Sequence, residues 1–209
     1  KGVVSVPPGV FGKKIAYIAP SGVQLYSSGE MPRMRIGDSV QVSGTLRKTT
    51  DGLRLSIRKG DSITVLSHGD PPKAVAVGDG DSLEEYEGKL ITVSGEITEI
   101  HWPSIMLGDE STSLSIKRGT GLKRSNFVKG ASIAVTGIVQ KSNDGYRLLP
   151  RSLEDIKRLQ TESISSEHEE EIPAHPEKRI KPLVYLTAML GAVMLIFFGL
   201  FVQKKMMNK

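Results

Sequence analysis

The chain has 209 residues, no cysteine and a formal net charge of +5. The missing cysteine excludes disulfides, thiol nucleophiles and thiolate zinc sites. The moderate charge excess excludes a histone-like polyelectrolyte, but its uneven spread points to anionic partners for particular segments. Residues 1–66 carry ten Lys/Arg against four Asp/Glu and residues 90–159 ten against seven, whereas 67–89 carry two against six and 160–182 three against six.

The chain begins at Lys1 inside an apolar alternation, so we expect further sequence upstream. Ile15–Ala19 and Val23–Tyr26 read as short strands, and Val40, Val42 and Leu46 alternate with polar residues as a half-buried strand does. Gly44 interrupts that strand, where a glycine marks a bulge or bend. Asp51-Gly52 then predicts a two-residue hairpin turn. Residues 67–89, rich in Gly, Pro and acidic residues, read as a linker.

Strand signals resume at Leu90–Ile100, Ile105–Leu107 and Ser113–Lys117. Gly119-Thr-Gly121 with Lys123 and Arg124 lacks the spacing of a phosphate loop and reads as a connection between strands. Ile133, Val135, Ile138 and Val139 form the next strand around Gly137, and Asp144-Gly145 predicts a second hairpin. Leu153–Gln160 could be a short helix or carry a strand at Ile156–Leu159. Residues 160–182 are acidic and polar, a stalk unable to bury a core of its own. Leu183–Val202 is a 20-residue uncharged run. At about 1.5 Å per residue it reaches about 30 Å, a bilayer's hydrocarbon thickness. Lys178, Arg179 and Lys181 precede this transmembrane helix, and Lys204, Lys205 and Lys209 in the basic tail 203–209 follow it. The flanking charges balance, so they do not orient the span.

An internal repeat organises the soluble part. Met34–Gly44 lies over Phe127–Gly137 at an offset of 93 residues, and the register runs without a gap through Asp51-Gly52 over Asp144-Gly145 and Arg58 over Arg151. Gly2-Val-Val4 falls on Gly95-Glu-Ile97, so the first copy lacks the start of its first strand. Short strands, glycine bends and no strong internal helix favour small barrels. The expected fold is all-β: two tandem small OB-like β-barrels at 1–66 and 90–159, an acidic linker and one C-terminal transmembrane α-helix.

The first copy, with Val6-Pro-Pro-Gly-Val-Phe11, Ser21-Gly-Val-Gln-Leu-Tyr26, Met34-Arg-Ile-Gly-Asp-Ser-Val-Gln-Val-Ser-Gly-Thr-Leu46 and Asp51-Gly-Leu-Arg-Leu55, resembles the OB-fold module of bacterial extracellular nucleases and lamin-tail surface proteins. The second copy resembles it more loosely, keeping Gly108-Asp109-Glu110. The resemblance implies a nucleic-acid-binding module. The nuclease domains that carry that family's chemistry have no counterpart in this sequence.

An OB barrel that binds single strands needs a basic groove with rings for stacking. The candidates are Lys13, Lys14, Tyr17, Tyr26, Arg54 and Arg58 in the first copy, and Trp102, Lys117, Arg118 and Arg147 in the second. Arg33, Arg35, Lys123, Arg124 and Tyr146 are further members of the two basic sets. The histidines and the Asp79-Gly-Asp81 segment lack metal-ligand spacing, so no metal or cofactor is expected. No nucleophile–base pairing is legible, so no enzyme activity is expected. The reading is a membrane-anchored tandem OB protein for single-stranded nucleic acid, its barrels outside the cell and its tail in the cytoplasm. Two alternatives stand beside it. One is a surface scaffold or adhesion module that binds protein or carbohydrate. The other makes the barrels accessory modules of a larger enzyme.

Overall fold

Alternating aliphatic and polar residues set the strands, and glycines set where they bend. A computed structural model of the chain describes residues 1–78, 81–108 and 112–159. The described residues are all-β, in two seven-stranded sheets with only short 3-10 turns between strands. The first sheet holds β1 (Gly2–Val6), β2 (Ile15–Ala19), β3 (Val23–Ser27), β4 (Ser39–Val42), β5 (Thr45–Thr49), β6 (Gly52–Ile57) and β7 (Ile63–Ser67). The second holds β8 (Val75–Ala76), β9 (Leu90–His101), β10 (Ser104–Leu107), β11 (Thr112–Ser115), β12 (Ser132–Ser142), β13 (Gly145–Leu149) and β14 (Ile156–Arg158).

The second sheet repeats the pairings of the first. β3 runs parallel to β6 as β11 does to β13, and every other pairing within β1–β7 and β9–β14 is antiparallel. Gly2 opposite Val40 becomes Gly95 opposite Ile133, and Val42 opposite Ile63 becomes Val135 opposite Ile156. In the second and third strands the equivalence moves to an offset of 89, since Ala16 opposite Leu25 becomes Ile105 opposite Leu114. The first copy has a longer loop before these strands and the second a longer loop after them, so the ladder register is kept.

Gly44 and Gly137 show why a glycine is needed at the bend. A Cβ on Gly44 would stand 2.8 Å from the carbonyl oxygen of Ser56, and one on Gly137 would stand 2.7 Å from that of Leu149. Gly44 separates β4 from β5, whereas Gly137 bends β12 without breaking it. The hairpins differ from expectation by one residue. Thr49 pairs with Gly52 and Ser142 with Gly145, so the turns are Thr50-Asp51 and Asn143-Asp144. Each glycine instead opens the returning strand at φ +115° or +112°, a conformation that other residues resist.

The segment between the copies holds β8 and a 3-10 turn at Leu83–Tyr86, with Val77 and Leu83 packed into the second core. Residues 153–159 resolve into a three-residue 3-10 turn followed by β14, so the short helix extending to Gln160 does not form over its described part. Among the described residues, no helix is long and apolar enough to cross a membrane. The expected span at 183–202, its flanking lysines, the stalk and His168 and His175 lie outside the described residues.

Among the described residues, three apolar clusters hold the fold. Val4, Ile18, Leu25, Met34, Val40 and Ile57 fill the first sheet's interior, and Ile97, Ile105, Leu114, Val135 and Leu148 lie at the centre of the second. A third cluster belongs to neither copy alone: Val6 and Tyr17 from the first meet Leu90 and Ile138 from the second. A break in the alternation of β1 explains Val6. A β-bulge at Ser5 lets Val4 face the first interior while Val6 enters the shared cluster.

Candidate nucleic-acid interface

The shared cluster decides which strand faces are open. Tyr17 on β2 is 2 % exposed, and its ring packs edge-on against Phe11 at a centroid distance of 5.9 Å. Its hydroxyl accepts a hydrogen bond from Gln24 Nε2 at 2.6 Å and a longer one from Gln140 Nε2 at 3.4 Å. Each glutamine is oriented by an arginine, which can only donate. Arg54 Nε donates to the Gln24 carbonyl oxygen, while Arg147 Nε and Nη2 donate to that of Gln140 at 3.2 and 2.9 Å. Arg54 Nη2 also reaches Asp51 at 3.0 Å, and its guanidinium lies 5.3 Å above the Tyr26 ring.

Tyr17 is therefore removed from the set of stacking rings. The outer face of β2 and β3 is covered by the second copy, and burial raises the Tyr17 pKa against the opposing hydrogen bonds from Gln24 and Gln140. Tyr26 is half-buried beneath Arg54. Arg54 and Arg147 are spent on glutamines in the seam. Lys117 lies close to Arg147 and Asp51, and its pKa is lowered first by burial and next by Arg147, with Asp51 opposing.

The corresponding face of the second copy has a different composition. Ladder equivalence places Met106 where the first copy has Tyr17, and Ser104, Ser113 and Ser115 where it has Ile15, Gln24 and Tyr26. Glu99, the counterpart of Val6, is exposed. The second copy thus carries polar or flexible side chains where the first carries a buried docking surface.

Beside this face, Trp102 lies in the tight connection from β9 to β10. The ring is 41 % exposed and leans on Phe127 at 6.4 Å between centroids with a 45° tilt. Trp102, Pro103, Ser115, Lys117, Arg118 and Leu122 line one pocket of about 600 Å³. A Cβ on Gly119 would meet the carbonyl oxygens of Gly9 and Val10, so the first copy's 7–14 loop, which carries Lys13 and Lys14, presses on the residue after Arg118. Lys13 and Lys14 are exposed, and Lys14 Nζ donates to the Ser28 carbonyl at 2.9 Å.

The structure therefore gathers Trp102, Lys117 and Arg118 in one pocket and gathers Tyr17, Arg54 and Arg147 in the seam. Arg58 stands apart in a separate pocket with Lys59 and Asp61. Its repeat partner Arg151 has a different task, holding both Asp155 oxygens at 2.7 and 2.9 Å and donating to the Ser5 carbonyl of the first copy at 3.0 Å. The Tyr146 hydroxyl lies 3.3 and 3.4 Å from the Glu84 and Glu87 carboxylates and can donate its single proton to either.

Sequence reasoning passed over Gln24 and Gln140, because an uncharged amide in a strand carries no signal until its partners are known. Among the described residues, no cluster of three His, Cys, Asp or Glu side chains could hold a metal ion. No protein-family model matches the chain, and no curated protein matches it.

Proposed function

We propose that this chain is a membrane-tethered pair of OB-like barrels whose second barrel binds single-stranded nucleic acid without strong sequence preference. Strand pairing supports the OB reading. With β4 and β5 counted as one bent strand, the order runs one–two–three–five–four and back to one, with three and five parallel. That is a five-stranded Greek-key barrel of the kind whose second and third strands and adjoining loops take oligonucleotides.

The observation that carries the ligand reading is the exposed Trp102 ring sharing a pocket with Lys117 and Arg118. A flat ring stacks on any base, and neighbouring cations bind the phosphates without reading sequence. Arg147 and the Lys13–Lys14 loop extend the positive potential along the seam. The first barrel serves as a docking partner, because its equivalent face, built by Tyr17 and Val6, is covered by Leu90 and Ile138 of the second. The tether rests on the length and apolarity of 183–202, with the barrels outside the cytoplasm and the basic tail within it. No catalysis is proposed.

Trp102 is the chain's sole tryptophan, so its emission reports on this pocket without a label. Titration with single-stranded DNA at low salt should quench it saturably. The logarithm of the affinity should fall with the logarithm of salt by about 0.7 for each neutralised phosphate. Unchanged emission together with no mobility shift for any oligonucleotide would discard this reading in favour of a scaffold for protein or carbohydrate.

A further inference from the structure

The open face of the second barrel is ordered by chemistry from strand to strand. The ladder fixes two rows of outward side chains. One runs His101, Ser104, Ser115 over β9, β10 and β11. The other runs Glu99, Met106, Ser113, Arg147 over β9, β10, β11 and β13. Partners in a ladder share a face, and the fully buried pair Leu114 and Leu148 sets the inward side of β11 and β13. The Trp102 ring stands at the β9–β10 connection, in one pocket with Ser115 and with Lys117 and Arg118, which follow β11. Three kinds of group therefore succeed one another: a stacking ring, then serine hydroxyls, then cations.

We propose that this face selects RNA over DNA, with Ser104, Ser113 and Ser115 meeting the ribose 2′-hydroxyls of a strand that stacks a base on Trp102. The inference rests on the nucleic-acid reading of the Trp102 pocket and names the sugar that the site prefers. In a nucleotide the sugar joins base to phosphate. A base held at the ring and phosphates held by Lys117, Arg118 and Arg147 leave the sugar over the serines between them. β10 and β13 are two strand spacings apart, about 10 Å, a distance on the scale of one nucleotide.

Hydrogen-bonding capacity points the same way. A phosphate oxygen only accepts, whereas a 2′-hydroxyl both donates and accepts. Ser104 Oγ and Ser113 Oγ lie 3.2 Å apart, so one of their two protons is used between them while lone pairs remain on both. Such a pair takes a donor more readily than another acceptor. Beyond it stands Glu99, bonded to His101 at 2.7 Å, whose carboxylate accepts donors and repels phosphate. That charge keeps the phosphates on the β11–β13 side. The first copy has no such row. Its ladder equivalents of Ser104, Ser113 and Ser115 are Ile15, Gln24 and Tyr26, with Gln24 buried against Tyr17. The hydroxyls belong to the copy whose face is open.

The test uses the purified chain and three single strands of about eight nucleotides: oligouridylate, oligodeoxyuridylate and 2′-O-methyl oligouridylate. They carry the same base edges and differ at the 2′ position alone. Titrations of Trp102 emission at low salt should give oligouridylate about 3–10-fold higher affinity than oligodeoxyuridylate, as one or two added hydrogen bonds would. The 2′-O-methyl strand loses the donor and should bind no more tightly than the deoxy strand. The triple variant Ser104→Ala, Ser113→Ala, Ser115→Ala should bring the oligouridylate affinity down to the oligodeoxyuridylate level. Ser115→Ala alone, a single change at a half-buried side chain, should remove part of the difference. Arg118→Ala should weaken both strands and keep their ratio. Equal affinity for the two strands, or a ribose preference that survives the triple substitution, overturns the proposal and leaves the nucleic-acid reading standing. Quenching by neither strand overturns both.

Discussion

Tyr17 and Gln140, 123 residues apart, share a hydrogen bond at 3.4 Å that joins the two copies across a buried seam. Tyr17→Phe keeps the ring in the shared apolar cluster but strands the amides of Gln24 and Gln140. Leaving buried donors unpaired should cost about 1–3 kcal/mol. Urea unfolding monitored by Trp102 emission checks it, and a loss near zero would show that the seam is held by its apolar contacts alone.

Alkaline titration should report the same residue. The folded-state pKa of Tyr17 is raised above 10.0, so the folded protein retains a proton that the unfolded chain has released. Its contribution to stability is therefore fully present below pH 10 and lost as pH climbs through the raised value. Lys117 acts in the opposite sense, because its folded pKa is lowered from 10.5 and stability rises with pH between the two values. Tyr17→Phe should remove the loss and Lys117→Met the gain, both visible in unfolding midpoints collected from pH 8 upward.

Asp38 is 2 % exposed, accepts the Arg35 amide at 2.8 Å and holds His68 at 2.6 Å. Its pKa is lowered from 3.8, first by the Arg35 hydrogen bond and then by His68. The sign is that of a depressed acid: the stabilisation is present above pH 3.8 and disappears as pH falls through the folded value. Asp38→Asn should be less stable than the parent at pH 7, with the gap closing below pH 3.8. A gap independent of pH would show that hydrogen bonding, and not charge, is what Asp38 contributes.

Gly119 has no room for a methyl group, since its Cβ would fall 2.0 Å from the Gly9 carbonyl oxygen. Gly119→Ala should push away the loop that carries Lys13 and Lys14, at about 1–3 kcal/mol as for other overpacked contacts. If those lysines assist binding at the Trp102 pocket, the salt slope should shrink along with stability. Lys13→Ala with Lys14→Ala should reduce the slope and leave stability intact.

Membrane orientation has a direct readout. Protease added to intact cells should digest residues 1–159 and spare an epitope placed after Lys209. Protection of the barrels would reverse the proposed sidedness.

Much of the sheet architecture could be read before any coordinates. The 93-residue offset, Gly44 over Gly137 and the strand at Ile156 depend on local alternation and local bends, which a sequence states directly. The offset of 89 in the second and third strands was hidden, because two loops of compensating length leave no mark on the flanking register. The paired bulges were hidden too: Ser5 and Thr98 are each the unpaired residue of the first strand, and each keeps a buried hydroxyl without a partner.

The sequence by itself determined an all-β chain with a repeated strand plan, since periodicity and glycine placement act within a few residues. Only the tertiary structure decided which copy keeps an open face. Tyr17 and Trp102 look alike as candidate stacking rings, yet one is sealed by Gln140 and Ile138 and the other stands 41 % exposed. That difference arises from how two sheets pack, and packing brings together residues whose separation along the chain carries no periodic signal.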